Sequence, residues 1–119
     1  NRVWTWRSAS PNWEQSSWSN SSLEPLLESE GNFAAVASNR VFAFDGSDGS
    51  WNDSGQLSSF LGTVVASGGN FAAARSTRVN VWNATTDTWS ESPQLNTYSG
   101  ELVGSDGNFA APISNRIYA

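Results

Sequence analysis

The sequence predicts an all-β protein built from three gapless 38-residue repeats, each of about four short strands, and three observations carry that reading. Arg2, Arg40, Arg78 and Arg116 step by 38 residues, and Trp13, Trp51 and Trp89 keep the same step. Apolar residues alternate at period two in short runs, the signature of half-buried strands. Between the runs stand clusters of Gly, Asp, Asn, Ser and Pro, which supply the backbone angles and local hydrogen bonds of turns. Self-similarity at a fixed period of this size marks a repeat architecture. The frame divides a single repeat domain, 1–119, into repeats 1–38, 39–76 and 77–114 and a partial repeat 115–119. Columns identical in all three copies include the Arg, the Trp, a Gly-Asn-Phe-Ala-Ala run and three serines.

Each element follows from its residues. Segments 2–6, 40–44 and 78–82 (RVWTW, RVFAF, RVNVW) put Val, Ala or Thr on one face and mostly an aromatic ring on the other. Small faces of this kind allow sheets to stack closely. The turns RSASPN, DGSDGS and NATTDT follow, then a strand opened by the constant Trp and ending near Leu57 and Leu95 in the later copies. Segments 61–67 (LGTVVAS) and 99–105 (SGELVGS) read as buried strands, followed by Gly-Gly-Asn or Asp-Gly-Asn turns and the Phe-Ala-Ala strand. Segment 21–30, SSLEPLLESE, resembles a Ser-capped helix, but the frame sets Leu26 and Leu27 over Val64 and Val65 and over Leu102 and Val103. A strand is expected there, and no helix anywhere.

Composition narrows the function. An apolar share of 38% is low for so small a body, and seven Trp, six Phe and two Tyr supply the missing buried surface. Without Cys or His, thiolate metal sites, disulfides and nucleophilic catalysis through imidazole or thiolate fall away. The carboxylates Glu14, Glu24, Glu28, Glu30, Asp53, Glu91 and Glu101 are scattered over the repeat columns, so no catalytic pair is indicated and no enzyme is expected. Asp45-Gly-Ser-Asp48-Gly has the look of a calcium loop, but the aligned RSASP and NATTD lack the pattern, so a plain turn and no metal are expected. A net charge of −5 with no Lys disfavours nucleic acid and anionic membranes as partners, and no stretch reaches membrane-spanning length. The first residue, Asn1, is expected of a processed or excised chain.

The succession of apolar strand, Gly, small-residue strand, Arg-Val-aromatic strand, Asp/Asn-rich turn and Trp is similar to one blade of a β-propeller. NVWNATTDTWSESPQL resembles the second half of a kelch blade, and the Gly-Phe-Ala segments resemble blades of tachylectin-type and fungal-type propeller lectins. Where kelch blades carry a Gly-Gly pair this chain reads Ala-Ser, Arg-Ser or Ile-Ser, so the blade is implied more firmly than kelch itself. Three blades do not close a ring that usually takes four to eight. The expectation is half of a six-bladed propeller closed by oligomerisation as a homodimer, with a β-trefoil, which closes on three repeats, as the alternative. Segment 115–119, NRIYA, repeats the opening strand, so either end can take the other's place.

Binding is the function this composition favours. A sugar presents an apolar C–H face and a rim of hydroxyls, which call for an aromatic platform beside planar donors and acceptors. Each repeat supplies such a set: Arg2, Trp13 and Asn32; Arg40, Trp51 and Asn70; Arg78, Trp89 and Asn108. The expected function is a multivalent carbohydrate-binding lectin that needs no cofactor, gains avidity from repeated sites and works in a secreted or extracellular setting. The alternative is a kelch-like protein-interaction module. Plainer roles stand beside these: the Trp as a wedge between blades, the Arg as a structural ion pair, the Asn as a turn residue. Trp4, Trp6, Trp18 and Trp82, not shared by all copies, fit packing variants or subunit contacts. Sequons at Asn20, Asn52 and Asn83 are expected in exposed turns.

Overall fold

The computed structural model describes the chain except residues 96, 97, 99, 100, 114 and 115, and residue 116 by its backbone alone. The strands are β1 (Trp4–Trp6), β2 (Trp13–Gln15), β3 (Leu26–Ser29), β4 (Asn32–Val36), β5 (Val41–Asp45), β6 (Ser50–Asp53) and β7 (Phe60–Ser67). They continue as β8 (Asn70–Arg75), β9 (Val79–Asn83), β10 (Thr88–Glu91), β11 (Val103–Ser105), β12 (Asn108–Ile113) and β13 (Arg116–Tyr118). The protein is all-β, with no helix among the described residues. Segment 21–30 is strand from Leu26, as the repeat frame requires and the local cap signal does not. The Trp-opened strands are shorter than expected, ending at Asp53 and Glu91 rather than near Leu57 and Leu95. Of the expected strand 99–105, Val103–Ser105 is formed, and Ser99 and Gly100 lie outside the described residues.

Four antiparallel sheets result, each a simple meander. Sheet I is β1-β2, sheet II β3-β4-β5-β6, sheet III β7-β8-β9-β10 and sheet IV β11-β12-β13. The sheets straddle the sequence frame: sheet II takes its first two strands from repeat 1–38 and its last two from 39–76. The hairpin between first and second strands turns on two residues with positive φ: Glu30 and Gly31 (51° and 81°), Gly68 and Gly69 (52° and 85°), Asp106 and Gly107 (51° and 85°). Positive φ at both central residues is the two-residue turn whose twist matches that of the strands, which is why Gly is constant at its second position.

Recurring polar contacts fix the rest of each unit. The Ser16, Ser54 and Ser92 hydroxyls accept from the amides of Val3, Val41 and Val79, each at 2.9 Å. The same hydroxyls donate to the next carbonyl, of Ser17, Gly55 and Pro93, at 3.0, 2.8 and 2.9 Å. Three residues on, the amides of Ser19, Leu57 and Leu95 donate to the carbonyls of Asn1, Asn39 and Thr77 at 2.8, 2.7 and 2.6 Å. A clamp of this kind replaces ladder bonds where the outer strand stops, pairing the amides of Val3, Val41 and Val79.

Sheets join through unlike faces. Ala34, Val41, Ala43 and Leu57 of sheet II and its connection pack against Phe71, Ala73 and Trp82 of sheet III. One repeat on, Ala72, Val79 and Leu95 pack against Ala111, with Phe109 and Ile113 alongside. At the other end Phe42, Ala35 and Ala37 of sheet II, with Trp51 of the same sheet alongside, meet Val3 and Leu23. The small face of each sheet therefore receives the aromatic face of the next, and the first strands β3, β7 and β11 approach one another in succession. Trp82 is fully buried, and its indole nitrogen donates to Asn52 Oδ1 of sheet II at 2.9 Å. Removing such a ring from a core costs about 3–5 kcal/mol. The body is a slab of 49 × 31 × 19 Å with no closed barrel.

Candidate functional site

The constant Asn column holds the sheets together. Asn32 Nδ2 donates to Gly69 O of sheet III at 2.9 Å, and its Oδ1 accepts from Gly46 N of its own sheet at 2.8 Å. Asn70 repeats both bonds, to Gly107 O at 3.0 Å and from Ala84 N at 2.9 Å. A constant Ser reinforces the joint, since Ser29 Oγ accepts from Gly69 N at 2.9 Å and Ser67 Oγ from Gly107 N at 2.8 Å. Asn108, opening β12, is exposed.

The constant Arg column lies at the other end of the sheets, where the second strand turns into the third. Arg40 pairs with Asp53 at 2.8 Å, and Arg78 pairs with Glu91 at 2.8 Å while donating to Ser92 O at 3.1 Å. Strands β5 and β9, five residues each, separate the Arg end from the Asn end by roughly 15 Å. The sets Arg40–Trp51–Asn70, Arg2–Trp13–Asn32 and Arg78–Trp89–Asn108 are therefore spread along the sheets rather than gathered at single points. Trp51 and Trp89 are half-buried: Trp89 Nε1 donates to Asn52 O at 3.2 Å, and Trp51 packs tilted against Phe44, ring centres 5.1 Å apart, with its indole nitrogen buried and unpartnered. Trp13, on the first hairpin, is exposed.

What the Arg end does build is a cleft. Trp18, Ser19, Asn20 and Ser21, after β2, face Ser38, Asn39 and Arg40 of the β4–β5 turn across about 420 Å³ of open space. Trp18 is 64% exposed, and the guanidinium of Arg2 lies 5.7 Å from its ring centre. Its indole nitrogen donates to Asn20 Oδ1 at 3.3 Å, which fixes the ring's edge while leaving a face uncovered. Arg2 and Arg40 were singled out by the repeat; Arg40 lines this cleft and Arg2 lies over the Trp18 ring. Trp18 was passed over because its column reads Gln56 and Gln94 elsewhere.

The equivalent position one joint further on is filled. There Arg75 reaches across to Ser58, donating from Nε to the carbonyl at 2.9 Å and from Nη2 to the hydroxyl at 2.9 Å. Its column holds Ala37 at the first joint, too short to span the gap. The Arg75–Ser58 contact therefore has no counterpart from Ala37 beside the Trp18 cleft. Of the sequon residues, Asn20 is an exposed wall of this cleft and Asn83 is exposed, whereas Asn52 is half-buried and bonded to Trp82.

A second polar cluster lies at the Asn end. Carboxylate oxygens of Asp45, Asp48 and Asp87 come within 4.8 Å of one another, the group of the described residues whose donors suit a hard cation. The DGSDG segment is itself a turn, with Asp45 Oδ1 accepting from Ser47 N at 2.8 Å and Asp48 Oδ1 from Ser50 N at 2.9 Å. Hydrogen bonding to Asp45, with burial and contact with Asp48, pushes Asp87 up to about 7. Burial works to raise Asp45, but the bonds from Asp87 and Ser47 outweigh it and hold its carboxyl below the usual value. The bonds from Ser50 lower Asp48. Asp87 Oδ1 is buried with no hydrogen-bond partner among the described residues.

No protein-family model matches this chain, and a search of curated proteins finds no significant match either.

Proposed function

We propose that the protein is a carbohydrate-binding lectin whose sheets are the blades of a β-propeller, half of a six-bladed ring completed by a second chain. The observation that carries the binding role is the cleft at Trp18. It gathers the exposed indole of Trp18 with the polar residues Ser19, Asn20, Ser21, Ser38, Asn39 and Arg40. A pyranose ring lays its C–H face on an indole and spends its hydroxyls on planar donors and acceptors, and about 420 Å³ suits one or two sugar units. The propeller reading is supported by unlike-face stacking of four-stranded meanders with their first strands in succession, which generates an arc of sheets. A Trp18 cleft on each chain makes the lectin multivalent through assembly.

The test is a glycan array followed by calorimetry on the best binder. Trp18→Ala is expected to weaken binding at least tenfold, about 1.4 kcal/mol, with unchanged circular dichroism. A Trp18→Ala protein that binds at full strength removes the cleft from the site. An array that stays dark at millimolar sugar leaves the protein-interaction module as the better reading.

A further inference from the structure

Columns that are buried wherever two sheets meet are exposed on β1. Trp4 and Trp6 are 56% and 51% exposed, whereas their counterparts Phe42 and Phe44 are 1% exposed and Trp82 is 0% exposed. Trp13, counterpart of the half-buried Trp51 and Trp89, is likewise uncovered. The first hairpin thus carries an aromatic face with no small face to receive it.

The opposite vacancy exists at the other end of the molecule. Trp82 rests on Val41, Ala43 and Leu57 and bonds Asn52. The same four columns one repeat on are Val79, Val81, Leu95 and Ser90, and all four line an open apolar cleft of about 250 Å³. Leu102, Phe109 and Ala111 of the sheet IV side close its far wall, and Tyr118 stands at its mouth. Tyr118 occupies the column of Trp4. Strand β13 covers β12 only from Ala111 to Ile113, so Phe109 and Ala110 have no paired residue on that edge. In sheets II and III the equivalent residues pair as Phe33↔Phe44 with Ala34↔Ala43, and as Phe71↔Trp82 with Ala72↔Val81.

We infer that the β1-β2 hairpin of a second copy of this chain docks on β12, replacing β13, so that its Trp6 enters the apolar cleft and its Trp13 closes over Ser90. This rests on the two-chain reading above and adds which surfaces join. The partner strand takes the register already used twice within the chain: Trp6 opposite Phe109, Thr5 opposite Ala110, Trp4 opposite Ala111. Segment 1–5 and segment 115–119 carry the same columns, so the incoming strand meets a seat shaped for it. It also brings a second strand and three rings that β13 does not. Those rings offer on the order of 350 Å² of uncovered surface, so two such joints with their matching walls bury about 1,400 Å², in the range of stable interfaces. Each joint is head-to-tail, and two of them close a ring.

The experiment uses the full chain and its lack of Cys. Light scattering is expected to give twice 12.8 kDa for the protein, and a single-chain mass for Trp6→Ser, a change at an exposed position of the isolated fold. Chains carrying Thr5→Cys are mixed with mass-tagged chains carrying Ala110→Cys and oxidised. A disulfide between the unlike chains is expected. A mass of one chain for the unsubstituted protein overturns both this docking and the two-chain reading. A two-chain mass that survives Trp6→Ser, or disulfides only between like chains, overturns the docking and leaves two-chain assembly standing.

Discussion

Replacing Asn32 by Ala separates two roles for the constant Asn column, structural tie and sugar ligand. Asn32 is 7% exposed, and its amide serves Gly69 O and Gly46 N, one in the next sheet and one in its own. Alanine removes both bonds and leaves a carbonyl and an amide facing a small void. Each orphaned group costs about 1–3 kcal/mol, and water reaching the half-buried Gly46 side brings the total to about 2–4 kcal/mol. That is a large share of the roughly 5–15 kcal/mol typical of a folded domain. Urea unfolding followed by tryptophan fluorescence is the assay, with Asn32→Asp as a companion. The carboxylate still accepts from Gly46 N but faces Gly69 O without a proton to give, so Asp is expected to recover little of the loss. Glycan affinity is expected to stay unchanged in the folded fraction, because the Trp18 cleft is at the other end of the sheet. A loss below about 0.5 kcal/mol accompanied by abolished sugar binding would refute the structural account.

Ala37→Arg is expected to reach the Trp18 cleft as Arg75 reaches Ser58, lowering glycan affinity at least tenfold, while its buried position beside Phe42 makes the change cost about 1–3 kcal/mol of stability; calorimetry and thermal melts check both. The Asp45–Asp48–Asp87 cluster predicts a pH effect. Asp87 is raised from 3.8 to about 7, so the folded state holds a proton that the unfolded state releases, and stability from this group falls as pH rises between those values. Screening at this partly exposed turn leaves an effect on the order of 1 kcal/mol. Melting temperature is expected to drop from pH 5 to pH 7.5, and Asp87→Asn, which keeps a donor and tolerates the φ of 54°, flattens the profile. A melting temperature that climbs over that interval contradicts the shared proton.

Most of the fold was legible because the repeat votes three times at each position. Leu26 and Leu27 on a strand, the Gly of the two-residue turn and the alternation of small and aromatic faces all follow from aligned columns. The roles of constant polar residues were not legible, since identity shows only that a position matters and not what it touches. Asn32 and Asn70 read as sugar ligands or as turn residues, and the bonds to the carbonyls of Gly69 and Gly107 add a tie between sheets that neither reading contained. Trp18 was hidden for the opposite reason. A site made by departure from the repeat, Trp18 in place of Gln, leaves no trace in a search for what the copies share.

The unlike-face joint also bears on how such a chain can change length. Each unit carries both halves of the contact, the small face that receives and the aromatic face that enters, along with the Asn and Ser that stitch one turn to the next. A copy inserted in frame between two others finds both neighbours already complementary and disturbs no existing contact. A shift of one residue turns every ring in the affected strands to the wrong side. Gain or loss of whole 38-residue units is therefore the mode of variation the fold tolerates, and the step length is fixed by the joint rather than by any single strand.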